Sequence, residues 1–199
     1  MQSLKFVTKT FCASALAFAA LTVATGAQAQ VSYAPSSPNS SYLGLNIGKS
    51  NYSLGSGFGF FPSDSHDTVY GINAGSYFNK NFGLELGYTN FGKIARAGGD
   101  TKAQGVNFSL VGMLPVSQSF NLLGKLGTTY SRTDVSSSPF SGVASGSESG
   151  FGVSYGIGAE YSFSPQLSGV IQYDEHNMKF AGTGRERVGA TTVGLRYRF

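Results

Sequence analysis

Apolar and polar residues alternate with a period of two in eight separate stretches of this 199-residue chain. In the first stretch, Leu43, Leu45 and Ile47 alternate with small or polar residues, as in a β-strand with one apolar face. Most stretches contain 10 to 14 residues, and they span 41–53, 68–78, 81–91, 103–114, 120–132, 150–163, 167–178 and 189–199. An ordinary strand averages about five or six residues, whereas a tilted strand that crosses a bilayer needs about 9–11. The lengths therefore favour strands that span a membrane.

The connections between these strands are sorted by length. Long polar loops are predicted at 55–67, 92–102, 133–149 and 179–188. Tight turns are predicted at 79–80, 115–119 and 164–165. Long loops at one end and short turns at the other are typical of bacterial outer-membrane barrels. A soluble β-sandwich has no reason to sort its loops in this way.

The two faces of the predicted strands differ in chemistry. In the third strand, Leu84, Leu86 and Tyr88 lie on one face, and the other face is glycine or polar. A soluble ligand-binding barrel would point its apolar face inward. An apolar exterior belongs in lipid, where a closed barrel leaves no strand edge unpaired. We therefore predict an all-β fold: an eight-stranded antiparallel up-and-down transmembrane β-barrel over 41–199, with both termini in the periplasm and a lumen filled by side chains.

The first 29 residues are predicted to be a signal peptide. Lys5 and Lys9 precede an apolar stretch from 11 to 23, and Ala-Gln-Ala follows at 27–29. This order is typical of a secretory signal cleaved after Ala29, and the apolar stretch is shorter than the roughly 20 residues of a spanning helix. Residues 30–40 hold two prolines and four serines, which predicts a flexible periplasmic lead-in.

Composition excludes several functional classes. Charged residues make up 12% of the chain, and the net charge of +4 gives no indication of nucleic-acid binding. The single cysteine cannot form an internal disulfide framework or a cysteine-rich zinc site. Nothing in the sequence indicates a metal, nucleotide or redox cofactor.

Charged side chains fall on the inward face of several predicted strands. Because an unpaired buried charge costs several kcal/mol, we expect these groups to form ion pairs and hydrogen-bonded chains in the lumen. The expected lumen charge network consists of Glu85, Lys125, Glu160, Asp174, Arg196 and Arg198.

Several stretches resemble the transmembrane domain of the outer membrane protein A family. They include GSYFNKNFGLELGYTNFG at 75–92, YLGLNIGKSNY at 42–52, TKAQGVNF at 101–108, KLGTTYSRTD at 125–134, GAEYSFSPQL at 158–167 and the final GLRYRF. The resemblance runs from Ser41 to Phe199 and extends to the small stand-alone barrels of the same superfamily, such as opacity-type adhesins. Larger members carry a second, peptidoglycan-binding domain. Because this chain stops at Phe199, we expect that domain and its function to be absent.

The resemblance implies roles for particular residues. Glu85 and Glu160 match the two internal glutamates of the family, where a lumenal glutamate switches between basic partners and gates a small pore. Lys125 matches an internal arginine, but Val111 and Val170 stand where the exchanging partners are expected, and Arg196 replaces a small polar residue. A structural role for the network is therefore expected in preference to gating. Tyr197 and Phe199 resemble the signal read by the barrel assembly machinery, to which periplasmic chaperones deliver such chains.

The remaining candidate sites lie near the loop end of the predicted barrel. Lys49 and Arg132 face outward at the tops of their strands and are candidates for contact with lipopolysaccharide phosphates; the alternative is a solvated rim of mixed charge. Loop aromatics are candidates for binding a host or surface ligand, and they are Phe58, Phe60, Phe61 and Phe140. His66 and His176 suggest a lipid-modifying hydrolase only weakly, and a solvated histidine at a loop end is expected for His176.

The sequence supports four functions in decreasing order. The first is a structural barrel that supports envelope integrity in the outer membrane, in contact with outer-membrane lipid and lipopolysaccharide. The second is an adhesin or immune-evasion barrel that acts through its loops. A narrow ion pore and a lipid A-modifying enzyme follow, and enzymatic activity is not expected.

Overall fold

A computed structural model of the chain contains a closed barrel of eight strands. The structure describes residues 40–53, 66–96, 99–138, 145–181 and 184–199, so the predicted signal peptide and nearly all of the lead-in lie outside the described residues. The strands are β1 (Ser41–Tyr52), β2 (His66–Tyr77), β3 (Phe82–Arg96), β4 (Gly99–Pro115), β5 (Phe120–Val135), β6 (Gly146–Ser162), β7 (Leu167–Phe180) and β8 (Gly184–Arg198). The described residues contain no helix able to cross a membrane.

Each strand pairs antiparallel with its neighbour in sequence, and β1 closes the barrel by pairing with β8. Leu45 lies opposite Ile72 of β2 on one side and Leu195 of β8 on the other. Ser41 and Phe199 exchange backbone hydrogen bonds of 3.2 and 3.0 Å at the end where the short turns lie. The predicted fold class is confirmed.

The outer wall is apolar, as the alternation predicts. Large hydrophobic side chains on this wall are exposed along every strand, including Leu45, Ile72, Leu86, Phe108, Leu126, Ile157, Ile171 and Leu195. Contact with lipid removes this apolar area from water, so burial in the bilayer takes the place of a large protein core. Aromatic residues border this surface at both ends, for example Tyr130 and Phe151 at the loop end and Phe163 and Tyr197 at the turn end.

Two of the predicted long loops are wrong. Strand β3 continues to Arg96 and β4 begins at Gly99, so most of 92–102 is strand. Likewise, β7 continues to Phe180 and β8 begins at Gly184, so most of 179–188 is strand. The loop-end connection between β5 and β6 also shortens, because β5 reaches Val135 and β6 begins at Gly146. The apolar alternation stops at the edge of the lipid, but backbone pairing continues beyond it.

A β-bulge in β3 changes which residues face the interior. The register of β3 against β4 shifts between Asn90 and Lys93, and Gly92 lies in the bulge with a φ of 79°. Because the bulge inserts a residue, Phe91 and Ile94 both face inward and are buried. Lys93 then faces outward, where a regular strand would have turned it into the lumen.

Above the lipid the barrel wall separates into two paired sheets. The β6–β7 ladder ends at Ser154 and His176, and the β2–β3 ladder ends at Tyr70 and Asn90. Beyond these points β3, β4, β5 and β6 stay paired with one another, and so do β7, β8, β1 and β2. The space between the two sheets is filled by apolar side chains, which close the outer mouth of the barrel.

Candidate functional site: the barrel interior

The interior contains two clusters of apolar side chains and a polar network that runs through the cluster at the turn end. We call the apolar cluster near the termini and short turns the inner cap, formed by Tyr42, Tyr77, Val111, Met113, Leu123 and Val170. The cluster at the loop end is the outer cap, formed by Tyr52, Val69, Phe91, Ile94, Ala103, Val135, Met178, Phe180, Ala181, Val188 and Ala190. Among the charged residues expected in the lumen, Arg198 lies opposite Tyr42 and Glu160 lies opposite Val170, so the network reaches the level of the inner cap.

Glu85 is the acceptor at the centre of the polar network. Its Oε1 accepts from Lys125 Nζ at 2.8 Å. Its Oε2 accepts from the Tyr42 hydroxyl and from Asn73 Nδ2, both at 2.7 Å, and lies 3.5 Å from a guanidinium nitrogen of Arg196. Four hydrogen bonds, two of them from cations, therefore stabilise one buried carboxylate.

Arg196 links the two internal glutamates. Its guanidinium donates to Glu160 at 2.6 Å as well as approaching Glu85, and its side chain is 2% exposed. The guanidinium carbon lies 4.0 Å from the centroid of the Tyr42 ring, which is a cation–π contact. Arg198 also donates to Glu160, which is fully buried. Arg196 therefore places a buried positive charge between the two glutamates.

The network continues across the lumen to β7. Lys125 Nζ donates to Gln172 Oε1 at 3.1 Å, and the Gln172 amide donates to Asp174 at 2.8 Å. Every strand except β4 contributes a side chain, and the three cations (Lys125, Arg196, Arg198) balance the three carboxylates (Glu85, Glu160, Asp174). A cavity of about 30 Å³ beside Lys125, Asp174 and His176 leaves room for about two water molecules.

The outer cap covers the network at the loop end, and at the turn end the apolar residues of the inner cap pack among its ion pairs. In the inner cap the rings of Tyr42 and Tyr77 lie 5.6 Å apart, and Val111 and Val170 pack with them. In the outer cap Tyr52 and Phe180 make an edge contact at 6.3 Å, and the Tyr52 hydroxyl donates to the carbonyl of Phe91 at 3.1 Å. An ion that enters from the loop end would have to cross the apolar outer cap, where transfer of charge is strongly unfavourable.

The expectation that His176 is a solvated histidine at a loop end is wrong. The side chain is 5% exposed and points inward beneath the outer cap. Its Nδ1 lies 2.8 Å from the Thr129 hydroxyl, and its ring makes an edge contact with Phe91 at 5.0 Å. The strand continues past His176 to Phe180, which is why the residue is enclosed. His66 is the first residue of β2 and is distant from His176 in the sequence.

The other residues singled out in the sequence lie apart from the network. Lys49 of β1 and Arg132 of β5 are exposed on the outer wall, and Arg132 lies 3.8 Å from Asp134. Their contact with lipopolysaccharide phosphates stays a prediction. Tyr197 and Phe199 are exposed at the turn end. The candidate loop aromatics Phe58, Phe60, Phe61 and Phe140 lie outside the described residues.

Sequence reasoning missed the uncharged members of the site. Tyr42, Asn73 and Gln172 each lie on an inward position of a strand, so the alternation that located Glu85 carried the same signal for them. The outer cap was missed for a different reason. The outer cap depends on the bulge at Gly92 and on strand pairing that continues above the lipid. Neither feature can be predicted from an alternation with a period of two.

A closed eight-stranded barrel with an apolar outer wall and a polar interior is the architecture of a small integral outer-membrane protein. The chain belongs to the outer membrane protein beta-barrel domain family, whose model matches residues 13–199. This assigns the protein to the bacterial outer membrane and confirms the resemblance to the outer membrane protein A transmembrane domain.

Curated relatives support the same assignment. The chain is 30% identical over 191 residues to outer membrane protein A of Salmonella typhi, covering 90% of this chain and 54% of that protein. It is 32% identical over 198 residues to outer membrane protein A of Yersinia pseudotuberculosis, with the same coverage of 90% and 54%. The chain therefore spans about half the length of these curated relatives.

Solved structures share the fold at low sequence identity. Neisserial surface protein A matches with a TM-score of 0.60 and 18% identity, covering 80% of this chain and 96% of that one. The attachment invasion locus protein Ail of Yersinia pestis matches with a TM-score of 0.56 and 19% identity, covering 82% and 100%. These likenesses support the barrel fold.

Proposed function

We propose that this protein is a structural barrel that supports the integrity of the outer membrane and does not conduct ions. The observation that carries the proposal is the filled interior, in which an apolar outer cap closes the loop end and a charge-balanced network packs with the inner cap at the turn end. A barrel whose lumen is filled by its own side chains can be anchored in lipid on all sides without letting ions leak across the membrane. Enclosure of His176 beneath the outer cap supports a packing role for this residue, since no lipid substrate could reach it there.

Loss of the protein is expected to weaken the outer membrane. Cells that lack the chain should become more sensitive to detergent and to large antibiotics that an intact outer membrane excludes. A version with segments 54–65 and 139–144 shortened should restore resistance as well as the full chain, because the proposed role belongs to the barrel. If the shortened version fails to restore resistance although it is folded in the membrane, the function belongs to the loops.

That outcome would favour the second candidate, a surface-binding barrel. The fold neighbour Ail is described as an attachment invasion locus protein, and one of its structures is a complex with the heparin analogue sucrose octasulfate. At 19–20% identity this likeness supports the fold alone, so binding by the loops is tested separately, by adhesion of cells that carry the full or the shortened chain.

The refolded mature protein is expected to be electrically silent in a planar bilayer. The outer cap blocks the lumen, so Lys125→Gln, which alters the polar network and leaves the outer cap intact, should also be silent. Insertion is checked on the same preparation by the different gel mobilities of heated and unheated protein. A steady conductance that tolerates voltage and changes with Lys125→Gln would contradict the proposal and show that the network lines a water path.

A further inference from the structure

The β7–β8 hairpin carries three cations on its outer face. Lys179 alternates with buried Met178 and Phe180, and Arg185 and Arg187 are exposed on the neighbouring strand. Lys179 and Arg185 lie directly opposite each other in the ladder. Like charges in directly opposed positions destabilise a sheet, so this arrangement is unfavourable unless an anion lies between them.

The nearby carboxylate is already occupied. Glu175 accepts from the Tyr155 hydroxyl at 2.5 Å and from the Tyr173 hydroxyl at 3.2 Å, and it lies 3.4 Å from the guanidinium of Arg187. Glu186 lies opposite Met178 and so belongs to the inward set of positions. No ion pair joins Lys179 or Arg185 to a carboxylate in the part of the chain that the structure describes.

The cations lie where the lipid-facing surface ends. Arg185 donates to the carbonyl of Phe151 at 3.4 Å, and Phe151, which is 65% exposed, is the outermost large apolar side chain of β6. Tyr155 and Tyr173 lie below it on the same wall. The β6–β7 ladder has ended at this height, so the two strands are not joined by ladder pairs beside Lys179. Because the apolar wall ends here, we expect this surface to lie at the height of the lipid headgroups.

A second pair of opposed lysines provides an internal comparison. Lys93 and Lys102 face each other across β3 and β4. Here acidic residues are close to both lysines. Asp100 lies 3.2 Å from Lys93, and Asp134 is opposite Lys102 in the ladder. The chain therefore neutralises one like-charged pair with its own carboxylates and leaves the other without them.

We infer that the outer face of the β7–β8 hairpin binds a phosphorylated glycolipid of the outer leaflet. Lys179 and Arg185 share one phosphate, and Arg187 is held beside them by Glu175 and the two tyrosines. Phosphate is the anion that fits, because guanidinium and ammonium groups both bind it through charge-assisted hydrogen bonds. The inference rests on the position of the hairpin at the membrane surface and does not depend on a sealed lumen.

The test compares two double variants with the same change in charge. The full-length mature protein, Lys179→Gln/Arg185→Gln and the control Lys93→Gln/Lys102→Gln are refolded in a zwitterionic detergent. Binding of bisphosphorylated lipid A and of its dephosphorylated form is then measured by native mass spectrometry and by the shift in unfolding temperature. The hairpin variant should lose about tenfold or more in affinity for the phosphorylated form, while the control should change by less than about twofold.

Stability without lipid separates loss of binding from misfolding. In detergent alone the hairpin variant should unfold at the same temperature as the natural protein or higher, because the opposed charges are gone. Equal loss of lipid A binding in both variants, or full retention in the hairpin variant, would overturn the inference. The inference would also be overturned if inorganic phosphate or a soluble sulfated saccharide bound the natural protein as tightly as lipid A does and the hairpin variant lost that binding.

Discussion

Glu85→Ala is expected to lower the free energy of unfolding by about 3–5 kcal/mol. The substitution removes the acceptor that pairs with Lys125 at 2.8 Å and also receives the Tyr42 and Asn73 hydrogen bonds. Lys125 would remain as a nearly buried cation without its carboxylate, and Arg196 would lose one of its two partners. Urea unfolding of the refolded barrel, followed by far-ultraviolet circular dichroism because the chain has no tryptophan, measures the loss.

Two further variants test whether pairing is the cause. Glu85→Gln/Lys125→Met removes both charges and should recover a substantial part of the lost stability, because the uncompensated cation is gone. Asp100→Ala breaks the exposed Lys93 pair at the loop end and should cost about 0–1 kcal/mol. A midpoint for Glu85→Ala that equals that of the natural protein would mean that water can replace the carboxylate, and that the interior is more open than the caps indicate.

The alternation of side chains along the sequence predicts most of the barrel. The eight strands, their order and the faces of residues such as Leu86 and Glu85 all follow from a period of two, because one face meets lipid and the other does not. The same signal fails above the membrane. Lys179 and Arg185 are polar residues on a face that no longer touches acyl chains, so the apolar alternation is lost there. The sequence therefore predicts a loop, although the backbone remains paired.

The charged interior was predictable residue by residue, but its pairing was not. An inward position identifies Glu160 and Arg198 as lumenal, yet it does not say which cation meets which carboxylate across the barrel. That choice depends on strand tilt and side-chain length, as when Arg196 reaches Glu160 at 2.6 Å and Glu85 at 3.5 Å. The environment of His176 was missed for a related reason, since its enclosure comes from Phe91 on β3 and Thr129 on β5.

Gly92→Ala is expected to lower the free energy of unfolding by about 2–4 kcal/mol, through both backbone strain and crowding. Gly92 has a φ of 79°, a conformation that residues with a side chain rarely adopt. A Cβ at this position would also lie 2.6 Å from the carbonyl oxygen of Thr68 and would collide with the carboxylate of Asp67. Asp67 cannot easily move away, because it accepts from the backbone amide of Lys93 at 2.5 Å.

Gly184→Ala is the matched control for this prediction. Gly184 has a nearly identical φ of 82°, but a Cβ there would have no heavy atom within 4 Å, so only the backbone strain of about 1–2 kcal/mol should remain. The difference between the two variants measures the crowding at the bulge. Because the bulge places both Phe91 and Ile94 in the outer cap, Gly92→Ala should also speed hydrogen exchange in the cap strands, whereas Gly184→Ala should leave it unchanged. Equal destabilisation by the two variants would mean that the bulge can relax without disturbing the cap, and that the outer mouth is closed by packing rather than by the geometry of β3.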